Sequence, residues 1–230
     1  MHVPGFPQPV TVTVRDSAPV SGLLQTPADA RALLVLAHGA GAGMTHPLMT
    51  AIANALGAHG IATLRYQFPY MERGSKRPDP PRVAQATVRA AVDEVGRLAP
   101  GLPLFAGGKS FGGRMTSQAQ ATSPLLGVRG LVFLGFPLHP AGKPGDQRAA
   151  HLFDVHVPML FLQGTRDSLA EPGLMQSLVA RLGPRAILRL FDDADHSFHV
   201  PARSGGNDEQ VRRALGDAIE KWIARILGRE

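Results

Sequence analysis

Apolar residues come in short runs, and the spacing inside the runs switches between two periods. Residues 11–15 alternate apolar and polar in the manner of a half-buried strand, and 21–25 read as the hairpin partner across 16–19. Residues 33–37 are apolar throughout, as expected of a strand covered on both faces. Five more strands are predicted at 61–68, 102–106, 131–134, 159–163 and 186–191. Helical spacing appears between them. A helix over 47–56 opens with proline in its first turn. One over 82–99 aligns Val88, Val92, Val95 and Ala99 on one face, and another covers 172–182. The last, 208–227, carries Val211, Leu215, Ile219, Trp222, Ile223 and Ile226 in one stripe, with Trp222 as a core anchor. Strands alternating with helices predict an α/β fold with a parallel sheet. The Pro/Gly-rich stretches 69–81 and 137–145 are loops inside one domain, because the alternation continues across both.

Composition narrows the function. The chain has 230 residues, 44% hydrophobic and 18% charged, which suits a single globular domain spanning 1–230. The absence of cysteine excludes a disulfide scaffold, a zinc–thiolate centre and a cysteine nucleophile. The net charge is +6, but the basic residues are scattered apart from Arg73, Lys76, Arg77 and Arg82. Nucleic-acid binders cluster their charge, so no nucleic-acid partner is expected. The opening MHVPGFPQPV lacks the basic and apolar regions of a signal peptide. Apolar runs such as 32–37 are far short of the roughly 20 residues that span a bilayer. The expectation is a soluble cytoplasmic protein without membrane, metal or cofactor. The sequence sets no oligomeric state.

The chemistry concentrates in four turns. Gly108-Lys109-Ser110-Phe111-Gly112 follows the strand at 102–106 and precedes a helix, which places G-x-S-x-G at a strand-to-helix turn. A nucleophile there sits on strained backbone, and side chains two residues either side would clash. The helix that follows points its N-terminus at the reacting centre, where partial positive charge favours an oxyanion. A P-loop reading fails, because the glycine it needs five residues before Gly108 is Pro103. A second glycine loop, His38-Gly39-Ala40-Gly41-Ala42-Gly43, follows 33–37 and fits the donor loop that completes an oxyanion hole. A dinucleotide fingerprint fails there, since Met44 stands at the third glycine and no acidic residue ends the next strand. Asp167 lies just after 159–163, and His196 after 186–191. In a parallel sheet such turns share one edge, so Ser110, Asp167 and His196 can meet. Serine, aspartate and histidine in that chain order match the triad of α/β hydrolases.

The sequence resembles those hydrolases in detail. The motifs are HGAGAGMTHP (38–47), RYQFPYME (65–72), GGKSFGGRM (107–115), FPLHPAGKP (136–144), QGTRD (163–167) and DADHSF (193–198). Their combination resembles a small bacterial group related to the hydrolase-like domain of the third subunit of the NSL acetyltransferase complex. It is similar, more distantly, to dienelactone hydrolases, where Ser110 stands in place of a cysteine. The resemblance implies an eight-stranded, mostly parallel sheet flanked by helices, its first two strands forming an antiparallel edge. It implies Ser110 as nucleophile, His196 as base and Asp167 as its partner, with backbone N–H groups of Ala40 and Phe111 as the oxyanion hole and Gly41 as the nearest alternative to Ala40. Asp193 and Asp195 rival Asp167, although their closeness to His196 in the chain makes a well-aimed contact to the ring harder. The function so implied is serine hydrolysis of a small-molecule ester or related acyl compound. The alternative is a hydrolase-fold interaction protein with little catalysis.

Only 138–157 separates the sixth and seventh strands, too short for a multi-helix lid. The site should therefore be open, shaped by 66–81 and 139–156. Lys109, Arg73 and Tyr70 are candidate substrate contacts, and Arg73, Lys76 and Arg77 would attract an anionic substrate. His46 falls at the start of a helix and reads as a cap, not a catalytic group.

Overall fold

A computed structural model describes residues 5–201 and 206–228; residues 1–4, at the head of the segment read for a leader, lie outside them. Eight strands form one sheet in the order β1-β2-β4-β3-β5-β6-β7-β8. They are β1 (Gln8–Val12), β2 (Val20–Gln25), β3 (Ala32–Ala37), β4 (Ile61–Tyr66), β5 (Leu104–Lys109), β6 (Val128–Leu134), β7 (Met159–Gly164) and β8 (Ala186–Phe191). The β1–β2 and β2–β4 pairings are antiparallel and the other five parallel. The helices are α1 (Pro47–Ala58), α2 (Pro69–Glu72), α3 (Pro81–Leu98), α4 (Phe111–Thr122), α5 (Pro172–Leu182) and α6 (Asp208–Ile226).

The period of two in β3 builds both cores. Leu33, Val35 and Ala37 join one apolar cluster, which takes Val88, Val92 and Val95 from α3, Met115 from α4 and Leu178 from α5. Ala32, Leu34 and Leu36 join the other, which takes Ile52 and Leu56 from α1 and the Leu215–Ile219–Trp222–Ile223 stripe of α6. Covered on both faces, the strand can be apolar at every position. Trp222 lies against Phe105, ring centroids 5.7 Å apart. It fits because residue 130 is glycine; a Cβ there would stand 2.6 Å from the indole. α6 begins with a reciprocal cap, Asn207 accepting from the Gln210 amide and Gln210 from the Asn207 amide.

Several boundaries differ from the sequence reading for identifiable reasons. The alternation at 11–15 outruns its ladder, which closes at Val12↔Val20; Val14 stays buried beyond the last pair. β4 stops at Tyr66, because Phe68 precedes proline and its N–H turns to His38 Nε2 at 3.1 Å. β5 runs on through Gly107 and Gly108, which read as turn residues. Both are strand glycines, since Cβ atoms there would stand 1.9 Å from the Val132 carbonyl oxygen and 2.5 Å from that of Ala37. The stretch 69–81 contains α2. Between β6 and β7 the chain forms one short 3-10 helix, Gln147–Asp154, and no multi-helix lid.

Candidate active site

The carboxyl ends of β3, β5, β7 and β8 lie along one sheet edge. β5 ends at Lys109, and Ser110 turns the chain into α4 with φ 50° and ψ −115°. A non-glycine residue there costs about 1–3 kcal/mol and persists only where its surroundings enforce it. The enforcement is steric. A Cβ on Gly112 would stand 2.6 Å from the carbonyl oxygens of Ala37 and His38, so α4 sits hard against the end of β3. The Ser110 N–H stays tied to the Leu134 carbonyl at 3.0 Å.

Ser110 Oγ lies 2.8 Å from His196 Nε2, and His196 Nδ1 lies 2.7 Å from Asp167 Oδ2. Asp167 is 3% exposed. Its Oδ1 accepts the Leu169 N–H at 2.8 Å, and its Oδ2 also accepts from Gln163 Nε2 at 2.5 Å. An ionised carboxylate is acceptor-only, so three donors suit it. With Nδ1–H donated to Asp167, Nε2 is left as the acceptor for the serine hydroxyl. The rival carboxylates are placed elsewhere. Asp195 accepts from the Ser197 and His199 amides of its own turn, at 2.7 and 2.9 Å. Asp193 takes φ 57° in the same turn, its N–H on Thr165 Oγ1 at 2.9 Å.

The glycine loop after β3 lies across from the serine. Gly41, at φ 69°, donates its N–H to the Tyr70 hydroxyl at 3.1 Å. The Ala42 N–H goes to Gly39 O and the Met44 N–H to Gln67 Oε1. Among the described residues, the amides of Ala40 and Phe111 have no hydrogen-bond partner, and Phe111 opens α4, where first-turn amides find none within the helix. His38 anchors the loop from below. Its Nδ1 lies 2.7 Å from Gly39 O while Nε2 accepts from Phe68. Burial pushes the ring down to about 4, outweighing the Gly39 contact, so it is neutral at neutral pH.

A pocket of about 380 Å³ opens over Ser110 and His196. Its walls include Ala40, His46, Leu48, Met49 and Leu169. His46 caps α1, its Nδ1 accepting the Leu48 N–H at 3.3 Å. The segments 66–81 and 139–156 do not line it, against the sequence expectation. Arg73 and Tyr70 are not brought to it either. Arg73 pairs with Asp79 at 2.5 Å, and Tyr70 is 1% exposed with its hydroxyl on Gly41. Lys109 does border the pocket. The residues that sequence reasoning missed are Leu48, Met49 and Leu169. The first two fall inside the helix read over 47–56 with no signal that sets them apart, and Leu169 follows Asp167 in a turn with no periodicity. A larger groove of about 730 Å³ between Arg15 and α3 lies away from Ser110 and His196, and its Arg97 is paired with Glu94.

Comparison with known proteins gives a family and a fold. A family described as an alpha/beta hydrolase domain matches residues 30–224. The structure is similar to dienelactone hydrolase from Anabaena variabilis, with a TM-score of 0.78 and 22% identity over 97% of this chain and 99% of that one. It is similar to an α/β serine hydrolase without a lid from Xanthomonas campestris, with a TM-score of 0.72 and 23% identity over 94% and 95%. It is also similar to Est1E from Butyrivibrio proteoclasticus in complex with ferulic acid, with a TM-score of 0.75 and 15% identity over 94% and 99%.

Proposed function

The chain belongs to the alpha/beta hydrolase domain family, and on that premise we propose that it is a serine hydrolase of small esters or related acyl compounds. The observation that carries this reading is the continuous hydrogen-bonded path from Ser110 Oγ through His196 to Asp167, opening onto a pocket. His196 Nε2 takes the serine proton as Oγ attacks the acyl carbon, and Asp167 holds the ring and balances the imidazolium. The free amides of Ala40 and Phe111 receive the developing oxyanion. One such donor is worth about 3–4 kcal/mol in the transition state. The imidazolium then protonates the leaving group, and the acyl-enzyme forms. Water attacks it in the second half, with His196 again taking the proton, and serine is released with the acid.

Within the family, we place the chain with the bacterial group related to the third NSL subunit, on the motifs of the glycine loop and the serine turn. The pocket walls of Leu48, Met49 and Leu169 favour a short apolar acyl or alkyl group. Among the described residues no segment closes over the serine, which disfavours long lipid chains needing a buried tunnel. The test is hydrolysis of a p-nitrophenyl ester series from acetate to octanoate. Turnover is expected for the short members and should be lost in Ser110→Ala. Equal turnover by the variant, or none by the native chain, would overturn the reading.

A further inference from the structure

One helix cap doubles as a wall of the pocket. His46 Nδ1 accepts the Leu48 N–H at 3.3 Å and closes the first turn of α1. A ring nitrogen that accepts carries no proton, so the proton of this imidazole is on Nε2. Nε2 has no hydrogen-bond partner among the described residues. Pro47 follows and confines residue 46 to extended backbone, with ψ 139°. The ring borders the same pocket of about 380 Å³ as Ser110 and His196. Around it the walls are apolar, with Ala42, Leu48, Met49 and Leu169. Lys109 borders the pocket too, but its Nζ is closed to solvent. None of the described residues lining the pocket is acidic, so no carboxylate there accepts the Nε2 proton.

We infer that His46 is a specificity-determining residue: its Nε2–H donates a hydrogen bond to an oxygen acceptor, a keto or carboxylate oxygen, on the acyl chain of the substrate. The inference rests on the serine-hydrolase reading above and names the substrate class which that reading leaves open. The acyl side follows from the order of groups round the pocket. His196 protonates the leaving group, so the alcohol portion lies against His196 and Ser197, which both border the pocket. The oxyanion faces the Ala40 amide, and His46 lies further along that same segment, at the start of α1. Between the serine and His46 the walls are apolar, so the chain they fit is carbon next to the ester and oxygen beyond it. The gain from the hydrogen bond is modest. His46 is exposed, and water satisfies its Nε2–H when no substrate is bound. A hydrogen bond exchanged with water in this way is worth about threefold to tenfold.

The experiment measures kcat/KM by proton release for ethyl acetoacetate, ethyl levulinate and monoethyl succinate, against ethyl butyrate and ethyl valerate, on the native chain and on His46→Asn. Asparagine keeps the cap, because its side-chain oxygen accepts the same Leu48 N–H, but it withdraws the Nε2–H. Intrinsic reactivity differs between the esters and cancels when the variant is compared with the native chain. The native chain should prefer an oxygen-bearing ester to the hydrocarbon esters, and the variant should reduce that preference about threefold to tenfold. A purely structural role would lower all the esters alike; an unchanged preference therefore overturns the inference, as does a native preference for the hydrocarbon esters. A preference for monoethyl succinate that survives in His46→Asn also overturns it, since another cation then holds the carboxylate. A native chain that hydrolyses none of the esters overturns the serine-hydrolase reading and this inference with it. A second measurement needs neither a variant nor turnover. In protein carrying ¹⁵N in histidine, with signals assigned through the backbone, His46 should show its proton on Nε2. A proton on Nδ1 would refute the inference whatever the kinetics.

Discussion

Replacing Asp167 by asparagine separates the charge of the carboxylate from its shape, and the hydrogen bonds around it determine the result. Oδ2 receives two donors, Gln163 Nε2 and His196 Nδ1, whereas Oδ1 receives only the Leu169 amide. An asparagine NH₂ at the first position would face two donors, and at the second only one. Asparagine should therefore keep its oxygen towards His196 and set its NH₂ against the Leu169 N–H. That leaves a buried amide unpaired, a cost of about 1–3 kcal/mol. In a chain of this size it corresponds to a fall in Tm of roughly 3–10 °C. The catalytic loss is larger. With its oxygen towards His196, asparagine still accepts Nδ1–H and keeps the tautomer, but a neutral amide does not stabilise the imidazolium as a carboxylate does. The loss should therefore fall short of the roughly 10⁴ in kcat seen where asparagine imposes the wrong tautomer. We expect kcat/KM for p-nitrophenyl acetate to fall at least a hundredfold in Asp167→Asn, while Asp193→Asn stays near native. Circular dichroism and thermal unfolding would verify that the variant is folded. Activity of Asp167→Asn within threefold of native would refute the reasoning, as would a loss confined to Asp193→Asn.

Two further outcomes follow from buried contacts. Tyr70→Phe removes the acceptor of the Gly41 N–H, so the loop bearing Ala40 should loosen; kcat should drop about tenfold with KM little changed, and native steady-state kinetics would contradict this. His38 is held well below its ordinary value, so the unfolded chain takes up a proton first as pH falls. Its contribution to stability is complete above about pH 6.5 and is lost as pH falls towards 4, at about 1.4 kcal/mol per pH unit. Urea unfolding at pH 7.0 and 4.5 should show that loss, and His38→Gln, which cannot titrate, should show a smaller one; equal losses would count against it.

The sheet and the meeting of Ser110, His196 and Asp167 at its edge were legible because each rests on a local signal. Continuous apolar runs mark strands covered on both faces, and three polar side chains each follow such a run. The positions of Leu48, Met49 and Leu169 around the serine were not legible, since they depend on how α1 and the β7 turn approach each other across the sheet edge. Charge misled at Arg73, because its pairing with Asp79 is set by the fold of the α2–α3 connection. The glycines at 107 and 108 misled in another way. A sequence does not distinguish glycine used for turning from glycine used for close approach, and here the neighbouring carbonyls of Val132 and Ala37 require the second. The burial of Lys109 was hidden for a related reason, since the space for it is made by Gly135, in the bend just after β6.

The most direct test of the central claim is to find where a mechanism-based reagent attaches. The native chain would be incubated with a fluorophosphonate at pH 8, digested, and mapped by mass spectrometry. The account predicts one phosphonyl group, on Ser110 in the peptide that spans the β5–α4 turn, and no adduct in Ser110→Ala or His196→Ala. An adduct on another serine, or labelling that survives in both variants, would contradict it.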